Sequence, residues 1–198
     1  MRRIVWLCVS LQICISGPVA AIASMSGALG PGNEIFSIDF RNFTYPDPCG
    51  EPGKAKVTIH GGGLNVPIPA HEQLPGRPIA WTRMEEIGYG WIEHEPDNVA
   101  VVALVCSGGG TGIFSEAYLV AIRSGKPSVV ADIGGGDRGD GGIAGASVAW
   151  GRILVERYAV DDPGYGICCP THLVTTVYRW TGKKLVQVSS GSQAFGLP

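Results

Sequence analysis

From Glu34 onward the chain never runs far without a turn residue, and this interruption limits what it can fold into. Nine short runs rich in Val, Ile, Thr and aromatics are separated by Gly, Pro and Asp: Lys54–His60, Ala80–Ile87, Val99–Cys106, Phe114–Arg123, Ser128–Ile133, Ala144–Trp150, Ile153–Val160, Thr171–Trp180 and Lys184–Ser189. Such runs read as strands. No window carries the i, i+3, i+4, i+7 apolar stripe of a long amphipathic helix. Short helices have room only at Ile35–Phe43 or Pro69–Pro78. The expected fold is therefore mainly β, with α+β as the alternative.

The patterning within the runs orders the sheet. Val99–Val105 is apolar at every position, as a strand covered on both faces must be, and Tyr118–Ile122 is similar. Val174–Trp180 mixes polar and apolar positions, which predicts one wetter face. Trp150-Gly151-Arg152-Ile153 and Trp180-Thr181-Gly182-Lys183-Lys184 are short enough for hairpin turns. Connections this short favour antiparallel neighbours, because a parallel crossover needs a dozen or more residues. The expectation is a single-domain antiparallel β-meander with glycine-rich hairpin loops, few short helices and disulfide staples. No repeat of fixed period is present.

Residues 1–23 read as a signal peptide, leaving a flexible lead-in over 24–33 and one β-rich domain over 34–198. Arg2 and Arg3 supply the positive n-region, Ile4–Ile15 the apolar stretch, and Ala21-Ile22-Ala23 the cleavage motif. The stretch is broken by Ser10, Gln12, Ser16, Gly17 and Pro18, so it falls short of the ~20 apolar residues of a membrane span. Ile13 precedes Cys14 where a lipid-attachment motif needs a small residue. Cleavage predicts a secreted or periplasmic product, with no membrane span and in the monomeric state. The formal charge of −2 disfavours nucleic acid as a partner, because phosphate neutralisation needs clustered Lys and Arg.

Four cysteines follow the leader: Cys49, Cys106, Cys168 and Cys169. In an oxidising compartment they read as two disulfides with three possible connectivities. Neighbouring cysteines miss the usual Cα separation of a bridge, so Cys168 and Cys169 are expected to reach separately to Cys49 and Cys106. Zinc-ligand spacing is absent.

Several blocks together carry a family likeness. They are Ser37-Ile38-Asp39-Phe40-Arg41-Asn42-Phe43-Thr44-Tyr45-Pro46, Gly108–Phe114, Gly136-Asp137-Arg138, Ile153–Tyr158, Cys168-Cys169-Pro170 and Tyr178-Arg179-Trp180. In this order they resemble exported bacterial proteins related to the LppP/LprE lipoprotein type. The resemblance implies a cell-envelope or secreted domain and supplies no catalytic residues.

Motifs that place chemistry are few. Ser107–Gly112 follows a buried strand like a phosphate loop, yet another strand follows it and no helix, so it reads as a wide hairpin turn. Asp132, Asp137 and Asp140 lie among glycines and are the candidate calcium ligands. Their spacing fits neither an EF-hand nor a repeated glycine–aspartate array, which favours a solvated, flexible loop. The four histidines are isolated, and no G-x-S-x-G elbow or H-E-x-x-H pair occurs. No cofactor motif is present. Large amphipathic rings suit recognition, so Trp91, Tyr165, His172 and Trp180 are the candidate binding residues. The expected function is non-catalytic binding of an envelope or extracellular protein or glycan. The alternative is a small secreted hydrolase with a dispersed site near His172 and Asp161 or Asp162.

Overall fold

A computed structural model describes residues 32–50, 55–72, 79–161 and 170–194. Two short 3-10 turns, Glu34–Ser37 and Phe40–Asn42, lead into eleven strands. These are β1 (Thr44–Pro46), β2 (Lys56–Thr58), β3 (Gly63–Pro67), β4 (Ile79–Gly90), β5 (Val99–Ser107), β6 (Phe114–Arg123), β7 (Lys126–Asp137), β8 (Ile143–Ala149), β9 (Arg152–Ala159), β10 (His172–Trp180) and β11 (Leu185–Ala194). Within each sheet every strand pairs antiparallel with its neighbour in sequence. The result is a β1-β2 pair, a five-stranded β3–β7 meander and a four-stranded β8–β11 meander. The fold is mainly β and meandering, as the turn residues dictate, and the meander breaks after β7 into a second layer.

Strand β5 organises the layers. Its odd-numbered residues Val99, Val101 and Ala103 join Leu119 and Ala121 of β6 in a core closed by Ile143, Ala146, Ile153 and Val155 of the second sheet. Its even-numbered residues Ala100, Val102 and Leu104 join Tyr118 and Val120 in a second core under Ile35, Phe40, Tyr45 and Val57. A strand that serves two cores must be apolar throughout, and that is what the sequence shows. The upper layer is fastened by aromatic contacts, including Tyr45 stacked 6.1 Å from Tyr118. The Tyr45 hydroxyl also donates to the Phe40 carbonyl at 2.8 Å. The outer edge of β8 is held by side chains of the first sheet. Ile143 N donates to Ser115 Oγ at 2.6 Å and Ala146 N to a Glu86 carboxylate oxygen at 2.9 Å.

Two expectations need correction. Cys49 bridges Cys106 directly, with an S–S distance of 2.08 Å. The sequence argument assigned both cysteines to Cys168 and Cys169, which lie outside the described residues. What it lacked was the upper layer. Packing β1 over β5 and β6 carries the segment after β1 to the end of β5, where Cys106 is buried. The second correction concerns Asp132–Gly142, expected as a solvated, flexible loop. Strand β7 runs through Gly134–Gly136 to Asp137. At Gly135 an added Cβ would sit 1.7 Å from the Ser115 carbonyl oxygen, so only glycine lets β7 cross β6 this closely. Beyond it, Gly141 N donates to the Tyr158 carbonyl and Tyr158 N to the Gly142 carbonyl, at 2.8 and 2.9 Å.

Candidate functional site at one end of the sandwich

Three connections meet at one end of the molecule: the β4–β5 segment from Trp91 to Asn98, the β8–β9 turn and the β10–β11 turn. The β8–β9 turn is the two-residue pair Trp150-Gly151, with φ of 51° and 73°. Positive φ at both central residues is the type I′ hairpin geometry, normally filled by Asn-Gly or Gly-Gly. A tryptophan in the left-handed region costs about 1–2 kcal/mol. Packing does not offset that cost, because Trp150 is 89 % exposed.

Trp91, 54 % exposed, lays its ring over the same turn. A Cβ added at Gly151 would stand 2.9 Å from Trp91 Cζ3. His94, three residues on, is another non-glycine held at positive φ, 66°. Two of the strained positions of the described chain thus fall at this end, and backbone strain of this kind concentrates at functional sites.

The surroundings are polar and mostly basic. Arg152 Nη1 pairs with Glu93 Oε1 at 2.7 Å. This hydrogen bond holds the Glu93 carboxyl below the usual carboxylate range, with Arg179 adding in the same direction. Thr181 N donates to the Lys184 carbonyl at 3.1 Å and closes the β10–β11 turn. Gly182 of that turn lies against His94. Arg179, Lys183 and Lys184 are exposed, and among the described residues no carboxylate pairs with them.

Beneath this surface lies a buried hub. Glu95 is 6 % exposed. Its carboxylate accepts Arg123 Nη1 and Nη2, each at 2.6 Å, and Trp180 Nε1, also at 2.6 Å. One carboxylate thereby fixes the β4–β5 connection to the end of β6 and the end of β10. Trp180, expected as a binding residue, is 2 % exposed and belongs to the core. Its indole N–H explains the burial, because an anchored donor can be taken out of water. In the sequence the only hint of the role of Glu95 is its place just before the most apolar strand.

The other candidates lie elsewhere. His172 begins β10, at the opposite end of that strand from Trp180. Its Nδ1 lies 3.3 Å from Asp161 Oδ1 and 3.0 Å from Thr171 Oγ1. His172 and Asp161, both named for the alternative hydrolase site, are thus in contact, but among the described residues no Ser or Cys hydrogen-bonds the ring. Asp162 and Tyr165 lie outside the described residues. Asp132, Asp137 and Asp140 do not converge. Asp132 Oδ1 accepts Gly134 N at 2.6 Å and Asp137 Oδ1 accepts Gly139 N at 3.1 Å. The carbonyls of Ile133, Gly134 and Gly141 receive the Arg157 guanidinium, a cation already supplied by the chain. Among the described residues no group of three His, Cys, Asp or Glu is placed to hold a metal ion.

Glu116 on β6 and Asp132 on β7 form a carboxyl pair. Burial pushes the Glu116 carboxyl above its ordinary value. The Tyr118 hydroxyl, donating to Glu116 Oε2 at 2.5 Å, opposes this, and Asp132 and Asp47 reinforce it. A raised carboxyl stabilises the fold at low pH, and that contribution is lost as pH rises through its folded value. Glu116→Gln keeps an acceptor for Tyr118 and removes the charge. The variant is therefore expected to melt with the parent near pH 4 and above it near pH 7.5, in melting curves taken across that range. Equal melting at both pH values would contradict it.

Comparison with protein-family models, with curated proteins and with solved structures returned no match. Among the described residues no helix is long and apolar enough to cross a membrane.

Proposed function

We propose that this chain is an exported, non-catalytic binding domain of a bacterial cell envelope, secreted or periplasmic, that takes a glycan at the Trp91–Trp150 end. The observation that carries the reading is Trp150, a large apolar ring held in a strained turn and given wholly to solvent. Exposed tryptophan stacks well on the apolar face of a sugar ring. The size of the surface favours a glycan over a partner protein. Two tryptophans offer a few hundred Å², whereas a stable protein interface takes about 800 Å² from each partner. Export is supported by the Cys49–Cys106 bridge, since such bridges persist in oxidising compartments. The leader-like residues 1–23 and the likeness to LppP/LprE-type proteins point the same way.

The hydrolase reading keeps one specific observation, the His172–Asp161 contact. A screen of the exported protein against glycoside, ester and peptide substrates, run beside His172→Ala, separates the two. The binding reading expects no turnover from either protein. Turnover that vanishes in a folded His172→Ala variant would replace it with the hydrolase. Trp150→Asn is the companion variant. Asparagine suits the first position of a type I′ turn, so the variant should melt at least as high as the parent while losing glycan binding.

A further inference from the structure

The chain carries a formal charge of −2, yet the exposed side chains around the two tryptophans are predominantly basic. Glu93, the carboxylate that Arg179 faces, is already occupied by Arg152 at 2.7 Å. The Glu95 carboxylate is buried and shared between Arg123 and Trp180. Arg179, Lys183 and Lys184 are left facing solvent on the two sides of the β10–β11 turn. A neutral ligand would gain little from three exposed cations that no carboxylate contacts, whereas an anionic one gains from each.

We propose that the glycan taken here is acidic, with its sugar rings on Trp91 and Trp150 and its anionic groups on Arg179, Lys183 and Lys184. This inference rests on the glycan reading and narrows it to a ligand class. Apolar and ionic contacts are divided between separate loops, so they can be removed separately. The β8–β9 turn supplies the ring contact. The end of β10 and the β10–β11 turn supply the charge. Glu95 ties the β4–β5 segment, which carries Trp91, to the end of β10 through Trp180.

Polygalacturonate and its fully methyl-esterified form share one backbone and differ in charge, so they serve as the probes. Titration calorimetry of the exported protein should show polygalacturonate bound at least tenfold more tightly than the ester. The difference should vanish at about 0.5 M salt, where screening acts within a few ångströms. Lys183→Ser/Lys184→Ser should weaken polygalacturonate by about tenfold, the equivalent of two modest surface ion pairs, and leave the ester unchanged. Trp150→Asn should abolish binding of both. Melting curves confirm that each variant is folded. Equal, salt-insensitive binding of the two polymers would overturn the acidic assignment and leave the glycan reading standing. Binding of neither polymer would overturn the assignment as well. Co-sedimentation with phosphatidylglycerol vesicles in their place, with a blue shift of tryptophan emission, would overturn the glycan reading too.

Discussion

Replacing Glu95 with alanine is expected to destabilise the chain by about 3–5 kcal/mol, the range seen when one member of a buried ion pair is removed. The loss has two parts. Arg123 keeps 40 % of its side-chain surface exposed and can turn to water, so its share is moderate. Trp180 cannot: it is 2 % exposed, and its indole N–H would be left in the core without an acceptor. An orphaned buried donor costs about 1–3 kcal/mol. For a chain of this length 1 kcal/mol moves the melting point by roughly 2–4 °C, which gives a fall of about 10 °C. Glu95→Gln keeps an oxygen for Trp180 and should lose less than half as much. Thermal melts of both variants at one pH test this. A drop of under about 2 °C for Glu95→Ala would show that the hub is a surface pair in solution.

Breaking the Cys49–Cys106 bridge should cost a similar amount. The two cysteines are 57 residues apart in sequence. Opening a loop of that length returns conformational freedom worth about 4 kcal/mol to the unfolded chain. Cys49 is exposed while Cys106 is fully buried, so Cys49→Ser removes the cross-link with little repacking. Urea unfolding of the parent under reducing conditions should match that of Cys49→Ser without reductant, and both should fall well below the oxidised parent. A Cys49→Ser variant as stable as the oxidised parent would mean that the bridge does not form in solution. The upper layer should suffer most, because β1 and β2 form only a three-residue ladder of their own and depend on the second core.

Sequence patterning carries well where burial is uniform. Val99–Val105 announces a strand between two cores because nothing polar interrupts it, and the short W-G and T-G-K-K connections announce antiparallel neighbours. It carries poorly where a residue acts through a distant partner. Glu95 and Trp180 are 85 residues apart, and neither one's surroundings in sequence predict the other. Cys106 faced the same difficulty, since its partner arrives on a layer made of strands only three residues long. Glycine misled in β7, where it permits a close strand crossing in place of a loop. At the candidate site Trp91 was legible as an exposed ring. Trp150 was legible only as part of a turn, although its position implied positive φ, a conformation that a tryptophan has no structural reason to adopt. The basic rim was legible only as the Lys183-Lys184 pair, because Arg152 and Arg179 meet at Glu93 only when β9 and β10 are folded side by side.

The central claim is that the Trp91–Trp150 end is the working surface. Co-sedimentation with isolated envelope polysaccharide tests it directly, comparing the parent with Trp150→Asn, Trp91→Ala and His172→Ala. The account predicts that the parent and His172→Ala pellet with the polysaccharide, while folded Trp150→Asn and Trp91→Ala stay in solution. Pelleting of all four proteins to the same extent would contradict it.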